Sequence, residues 1–284
     1  MIFYHTAKLN LTRGDTNPYI IKKKLTENQI TELDAHLSDE VYLTSKEISA
    51  YILVEYDVEY TIKGVTNLLH RMGFSYKKPK HVPGKANQEA QEAFIKDYRK
   101  LKRDKAPEDQ IYFVDGVHPL HNSQPAYGWM KKDYNYTIQS NTGRQRININ
   151  GAINLQDLQV VFREDDTINS ESAIKLFDQI LSIQKKGKVY VILDNARYYK
   201  SQLVADYLKQ NPRLNVIYLP PYSPNLNIIE RLWKFLKKNI TYNKYYEKFS
   251  TFRELIIEFL ENIDQHQVEL RTLLTDNFQI IKTD

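Results

Sequence analysis

Two strand-length runs of β-branched and aromatic residues, each leading straight into an aspartate, constrain this chain more than any other feature. Residues 111–114 (Ile-Tyr-Phe-Val) run into Asp115, and residues 189–193 (Val-Tyr-Val-Ile-Leu) run into Asp194. Apolar runs without alternation belong to strands buried on both faces, which requires a sheet covered by helices on each side. The surrounding pattern agrees. Residues 127–130, 136–139 and 146–153 read as meander strands and 158–162 as another; helices then follow over 170–184, 201–210 and 225–238, with a strand over 216–219. Consecutive strands followed by alternation predict an α/β domain on a mixed sheet flanked by helices, spanning residues 108–284.

With 284 residues, 42% of them apolar, the chain can bury more than one core. It has no cysteine, which excludes a disulfide framework, a thiolate zinc site and a cysteine nucleophile. No apolar run reaches membrane-spanning length, and the first residues lack the basic flank and apolar centre of a leader peptide, so a soluble, unsecreted protein is expected. The net charge is +5, but residues 61–103 hold eleven Lys/Arg against three Asp/Glu, so that stretch carries +8 and the remainder −3. Positive charge gathered in one region suits a polyanionic partner; a solvated, lysine-rich linker is the plainer alternative.

Residues 1–24 show no sustained period and read as an N-terminal arm. Residues 25–80 contain three short helical patterns. The first two open at capping boxes, Thr26-Glu27-Asn28-Gln29 and Thr44-Ser45-Lys46-Glu47; the third starts more weakly at Thr61 and ends at Gly73. The aromatic and basic stretch 74–79 then reads as a wing, giving a small all-α winged helix-turn-helix domain. Its third helix would enter the major groove, offering Lys63, Thr66, Asn67, His70 and Arg71, with Lys77 and Lys78 on the wing. A three-helix interaction module with a wet polar face is the alternative. Residues 81–107 read as a linker and a connecting helix over 88–102.

The chemistry is expected at three carboxylates. Ligands bind beyond the strand ends of an α/β sheet, where Asp115 and Asp194 would lie, although either one alone is as readily a turn or cap residue. Glu230 is the third. On its helix Leu226, Ile229, Trp233 and Leu236 form an apolar stripe and Arg231, Lys234, Lys237 and Lys238 a basic one, with Glu230 between them. Arg231 and Lys234 are the expected DNA contacts on that helix, though a Glu230–Lys234 surface pair is the alternative. Three acids meeting at one point repel unless a divalent ion holds them, and oxygen-only ligands favour two Mg²⁺ or Mn²⁺ ions over zinc. Several other residues read as structural. His118 and His121 are expected to be loop histidines, Glu164-Asp165-Asp166 a solvated turn, and Trp129 and Trp233 packing residues. Asn195 is divided between a turn role and a ligand role. Arg144 and Arg146 flank a strand and are candidates for phosphate contact.

The blocks Val114-Asp115-Gly116-Val117-His118-Pro119, Tyr127-Gly128-Trp129, residues 143–152, Leu193-Asp194-Asn195-Ala196 and residues 219–227 leading to Glu230-Arg231-Leu232-Trp233 together resemble insertion-sequence DDE transposases of the mariner-like superfamily. The most specific element is Pro220-Pro221-Tyr222-Ser223-Pro224, with Asp194 and Glu230 separated by 35 residues. The resemblance implies an RNase H-like catalytic domain with Asp115, Asp194 and Glu230 as catalytic metal ligands. It also implies cleavage at transposon ends, joining of the 3′-hydroxyl to double-stranded target DNA at TA, a homodimer, and a prokaryotic cytoplasmic, nucleoid-associated location. A structure-specific nuclease without strand transfer and a non-catalytic DNA-binding derivative are the rival readings. Members of the superfamily generally carry two tandem helix-turn-helix units, whereas only one is expected here.

Overall fold

The computed structural model describes residues 24–78, 83–131 and 136–281 and divides into two compact units, Met1–Lys80 and His81–Asp284. The expected arm lies, but for its last residue, outside the described residues, as does part of the expected linker.

In the first unit three helices, α1 (Glu27–Asp39), α2 (Ser45–Tyr56) and α3 (Ile62–Arg71), enclose Leu33, Ile52, Val65 and Leu68. Both expected capping boxes form. Thr26 and Thr44 accept from the backbone N–H of Gln29 and Glu47, whose side chains reach back to the cap N–H groups. Thr61 caps α3 by accepting from the Gly64 N–H at 3.1 Å, and Gly73, at φ +87°, lets the chain turn off the helix. Residues 74–78, expected as a wing, carry no regular secondary structure.

The second unit opens with α4 (Gln88–Asp104). It covers the span of the expected connecting helix, and its Phe94, Ile95 and Tyr98 are buried in the main core. Next come β1 (Gln110–Val117), β2 (Ile149–Asn154), β3 (Val160–Glu164), α5 (Ser170–Ile183), β4 (Val189–Leu193), α6 (Gln202–Gln210), β5 (Leu214–Tyr218), α7 (Ile229–Ile240), α8 (Phe249–Glu261) and α9 (Gln267–Leu273). The strands form one mixed sheet in the order β3-β2-β1-β4-β5. β1 pairs antiparallel with β2 and parallel with β4. The expected meander is shorter than its sequence pattern. Residues 127–130 and 136–139 are not strands, and Tyr127 and Trp129 are fully exposed, so Trp129 is not a packing residue. Short aromatic windows in a loop mimic a strand when no long period arbitrates.

Side-chain alternation divides the core in two. Ile111, Phe113 and Val117 face one side of β1 with α4, α7 and α8, while Tyr112 and Val114 face the other with α5 and α6.

Candidate active site

By the same alternation Asp115 shares the face of Phe113 and Val117, on which α7 packs. It lies within β1 rather than after its end, opposite Gly151 of β2. Asp194 immediately follows β4, where the Ala196 N–H donates to its Oδ1 at 3.0 Å. Glu230 stands in the first turn of α7. All three border one pocket of about 390 Å³, which residues 219–224 also line. The expected helix over 225–238 is divided into a short 3-10 turn, Pro224–Leu226, and α7 proper.

Two contacts bring α7 to this place. Gly151 leaves room for the Trp233 ring: a Cβ there would sit 2.6 Å from Trp233 Cη2. Asn227 Nδ2 donates to the Val114 carbonyl at 3.1 Å, and the Asn227 carbonyl accepts from the Glu230 N–H at 3.1 Å. Asn227 therefore joins the strand of Asp115 to the helix of Glu230. Its Oδ1 is buried without a partner and its side chain borders the pocket. The sequence pattern did not single out Asn227; its place three residues before Glu230, at a helix start, was the available signal. Tyr222, on the rim, is held at φ +56°, a left-handed conformation that a tyrosine adopts only where its surroundings impose it.

The electrostatics are those of an uncompensated acidic cluster. Burial first, then the Glu230 and Asp194 carboxylates, push the Asp115 carboxyl up to about 8, partly offset by the Gly116 N–H. The Trp233 indole N–H, buried without a full hydrogen bond, offsets a little more. Tyr198 is pushed up to about 12, chiefly by burial, so a neutral phenol stands near the two aspartates. Lys234 is exposed and makes no ion pair with Glu230, so the expected alternative of a surface pair is not realised. Among the described residues no three acidic or imidazole side chains are already gathered as a metal-ligand set. The donor chemistry nonetheless fits a hard divalent cation: the side chains that border the pocket offer carboxylate, amide and hydroxyl oxygens and neither sulfur nor imidazole, and burial beside two other acids raises the Asp115 carboxyl.

Apart from Asn195, the other candidates fall outside the pocket. His118 Nδ1 pairs with Asn148 Oδ1 at 2.8 Å, and His121 Nε2 donates to the Tyr246 carbonyl at 2.8 Å. The acidic run 164–166 is not a solvated turn: Asp165 pairs with Arg163 at 2.7 Å and accepts from Ser172, and Glu164 pairs with Arg253. Asn195 closes a turn, donating to the Leu219 carbonyl at 2.6 Å and accepting from Lys200 at 2.6 Å, while also bordering the pocket. Arg231 departs from its expected DNA contact. Its guanidinium donates to the carbonyls of Leu273, Thr275 and Asn277. Thr66 likewise spends its hydroxyl on the Ile62 carbonyl and Ser45, whereas Lys63, Asn67, His70, Arg71, Lys77 and Lys78 are exposed.

A family described as "DDE superfamily endonuclease" matches residues 110–256, just over half the chain and the stretch that carries all three acids. The chain belongs to the DDE superfamily endonucleases. A second family, "Winged helix-turn helix", matches residues 39–98 ahead of the DDE domain. A Shigella sonnei relative, "Insertion element IS630 uncharacterized 39 kDa protein", is 25% identical over 157 residues, which are 55% of this chain and 46% of that protein. The matched stretch thus spans about half the length of that relative. Two solved structures share the fold of this DDE chain. The Mos1 transposase paired-end complex with the left transposon end matches at 17% identity and TM-score 0.61, covering 87% of this chain and 75% of that one. The mariner Mos1 paired end complex with Mg matches at 16% and 0.61, covering 93% and 80%. No described helix of this DDE chain is long and apolar enough to cross a membrane.

Proposed function

We propose that the chain is a DDE transposase that cuts transposon ends and joins the 3′-hydroxyl to target DNA by two-metal-ion phosphoryl transfer. Asp115, Asp194 and Glu230 are the metal ligands and catalytic residues in this reading, with two Mg²⁺ or Mn²⁺ ions as cofactors. The observation that carries it is the delivery of three carboxylates, from β1, the end of β4 and the start of α7, to one open pocket. Membership of the DDE endonucleases and the fold shared with Mos1 complexes, one of them a complex with Mg, support it.

The chemistry such ions supply when bound is activation of the attacking oxygen and stabilisation of the leaving oxygen in an in-line displacement at phosphorus. The chain's own contribution is placement. β1 lies between β2 and β4 and carries Asp115 opposite Gly151, Asn227 ties β1 to α7, and a bound cation would favour the ionised form of Asp115. Lys63, Asn67, His70, Arg71, Lys77 and Lys78 are proposed to grip the transposon end and Lys234 the DNA near the pocket. Arg231 and Thr66 are left out of that grip, because their polar groups are engaged within the protein. Homodimer formation, TA as target, and nucleoid association in a prokaryotic cytoplasm complete the reading.

The test is a Mn²⁺-dependent reaction on duplex DNA taken from the flanks of the reading frame, with and without Asp194→Asn. Joining of a labelled 3′-hydroxyl end to a second duplex is the expected result. Cleavage without joining would instead mark a nuclease, and binding with neither a DNA-binding derivative. Undiminished activity of Asp194→Asn would remove that residue from the mechanism.

A further inference from the structure

Beyond α9 the chain runs without regular secondary structure from Thr275 to Ile281, yet its backbone is tightly held. Every second carbonyl accepts from a side chain. Arg231 donates to Leu273, Thr275 (2.7 Å) and Asn277 (3.1 Å), Asn225 to Gln279 (2.7 Å), and Gln91 to Ile281 (3.1 Å). An extended segment normally satisfies alternate carbonyls against a neighbouring strand; here three side chains take the strand's place. Gln91 is fully buried with both ends of its amide occupied. Its Oε1 accepts from Asn225 Nδ2 at 2.9 Å and from the Ile281 N–H at 3.1 Å. Phe278 packs against Phe94 and Tyr98 on the same side of the domain.

The anchors flank one functional residue. Asn225 follows Pro224 on the pocket rim, and Arg231 follows Glu230. The strap therefore grips the chain on both sides of the segment that delivers Glu230. Leu226, Ile228 and Ile229 pack this segment into the core, but its polar fastening is sparse: α7 begins without a side-chain N-cap, and among the described residues Asn227 supplies its side-chain hydrogen bond to β1. We infer that segment 273–281 is a positioning strap for Glu230, and that Gln91, Asn225 and Arg231 are positioning residues acting through it. The inference rests on the reading of Glu230 as a metal ligand, and the test separates the two.

Mn²⁺ binding would be measured by calorimetry, alongside thermal melting without metal, for the wild type and for Gln91→Ala, Arg231→Gln, Asp194→Asn and Lys102→Ala. Lys102 forms an ion pair with Asp276 of the same segment at 2.5 Å and serves as the control, since an exposed pair of this kind adds little to holding the segment in place. Gln91→Ala and Arg231→Gln should each weaken Mn²⁺ binding by about tenfold, the usual scale for groups that orient a metal ligand, while Lys102→Ala stays within about twofold of wild type. A merely structural role would lower the melting temperature without changing Mn²⁺ affinity below it. If Gln91→Ala does not fold, Arg231→Gln, which empties no buried site, decides alone. Folded strap variants that bind Mn²⁺ as the wild type does would overturn the strap while leaving the metal site standing. A wild type that binds no Mn²⁺, or binds it unchanged after Asp194→Asn, would overturn the metal reading and the strap with it.

Discussion

Asp115 is where a single side chain has the largest consequence. Its carboxyl is raised from 3.8 to about 8 in the folded protein, so between those values the native state keeps a proton that the unfolded chain has released. Without metal, the contribution of Asp115 to stability should therefore be full below about pH 4, decline as pH rises towards 8, and be lost beyond. Asp115→Asn removes that slope and should make the metal-free protein more stable at pH 8 by roughly 1–3 kcal/mol. Urea midpoints across pH would check it, and parallel curves for the two proteins would refute it. The opposite trend is expected for Mn²⁺, whose affinity should climb towards pH 8 as the proton becomes easier to displace. Asn227 offers a second case: Asn227→Leu removes the tie to Val114 and should lower the DNA nicking rate more than it lowers the melting temperature.

Among the elements, α7 against the sheet matters most, and a glycine permits that packing. Gly151→Ala should cost about 1–3 kcal/mol through overpacking against Trp233 and should reduce nicking by displacing Glu230; adding Trp233→Phe should restore part of both losses. A cycle of the four proteins by thermal melting and plasmid nicking would measure that rescue, and fully additive losses would contradict it. The parts of this arrangement differed in how plainly the sequence announced them. Capped helices α1 and α2 were legible because Thr26 and Thr44 act within four residues, and β1 and β4 because burial on both faces leaves an unbroken apolar run. The three acids were legible from those runs together with the Pro-rich block before Glu230. Gln91 was not: its partner Ile281 lies 190 residues away, and a hydrogen bond across that distance leaves no local pattern. The same holds for Arg231, which looks like one more member of a basic stripe until its carbonyl partners are seen.

Across the molecule, the division into two units predicts two separable functions. Replacing Lys63 and Arg71 with Ala should weaken DNA binding at all sequences and should leave Mn²⁺ affinity untouched. The slope of log affinity against log salt should become shallower by about one for each phosphate that is no longer neutralised. Filter binding at several salt concentrations, with calorimetry alongside, would show whether the two properties move independently. One consequence follows from Asp115 sitting inside β1 instead of at its tip. Its ladder partner is Gly151 of β2, and the pairing of β1 with β4 ends two residues before it at Phe113, so the sheet itself sets its place. The chain after β1 is fastened at Gln124 and Ala126 to residues 241–243 beyond α7, whereas Tyr127 and Trp129 stand fully exposed, so over evolutionary time those two rings can be exchanged while the strand that carries Asp115 stays as it is.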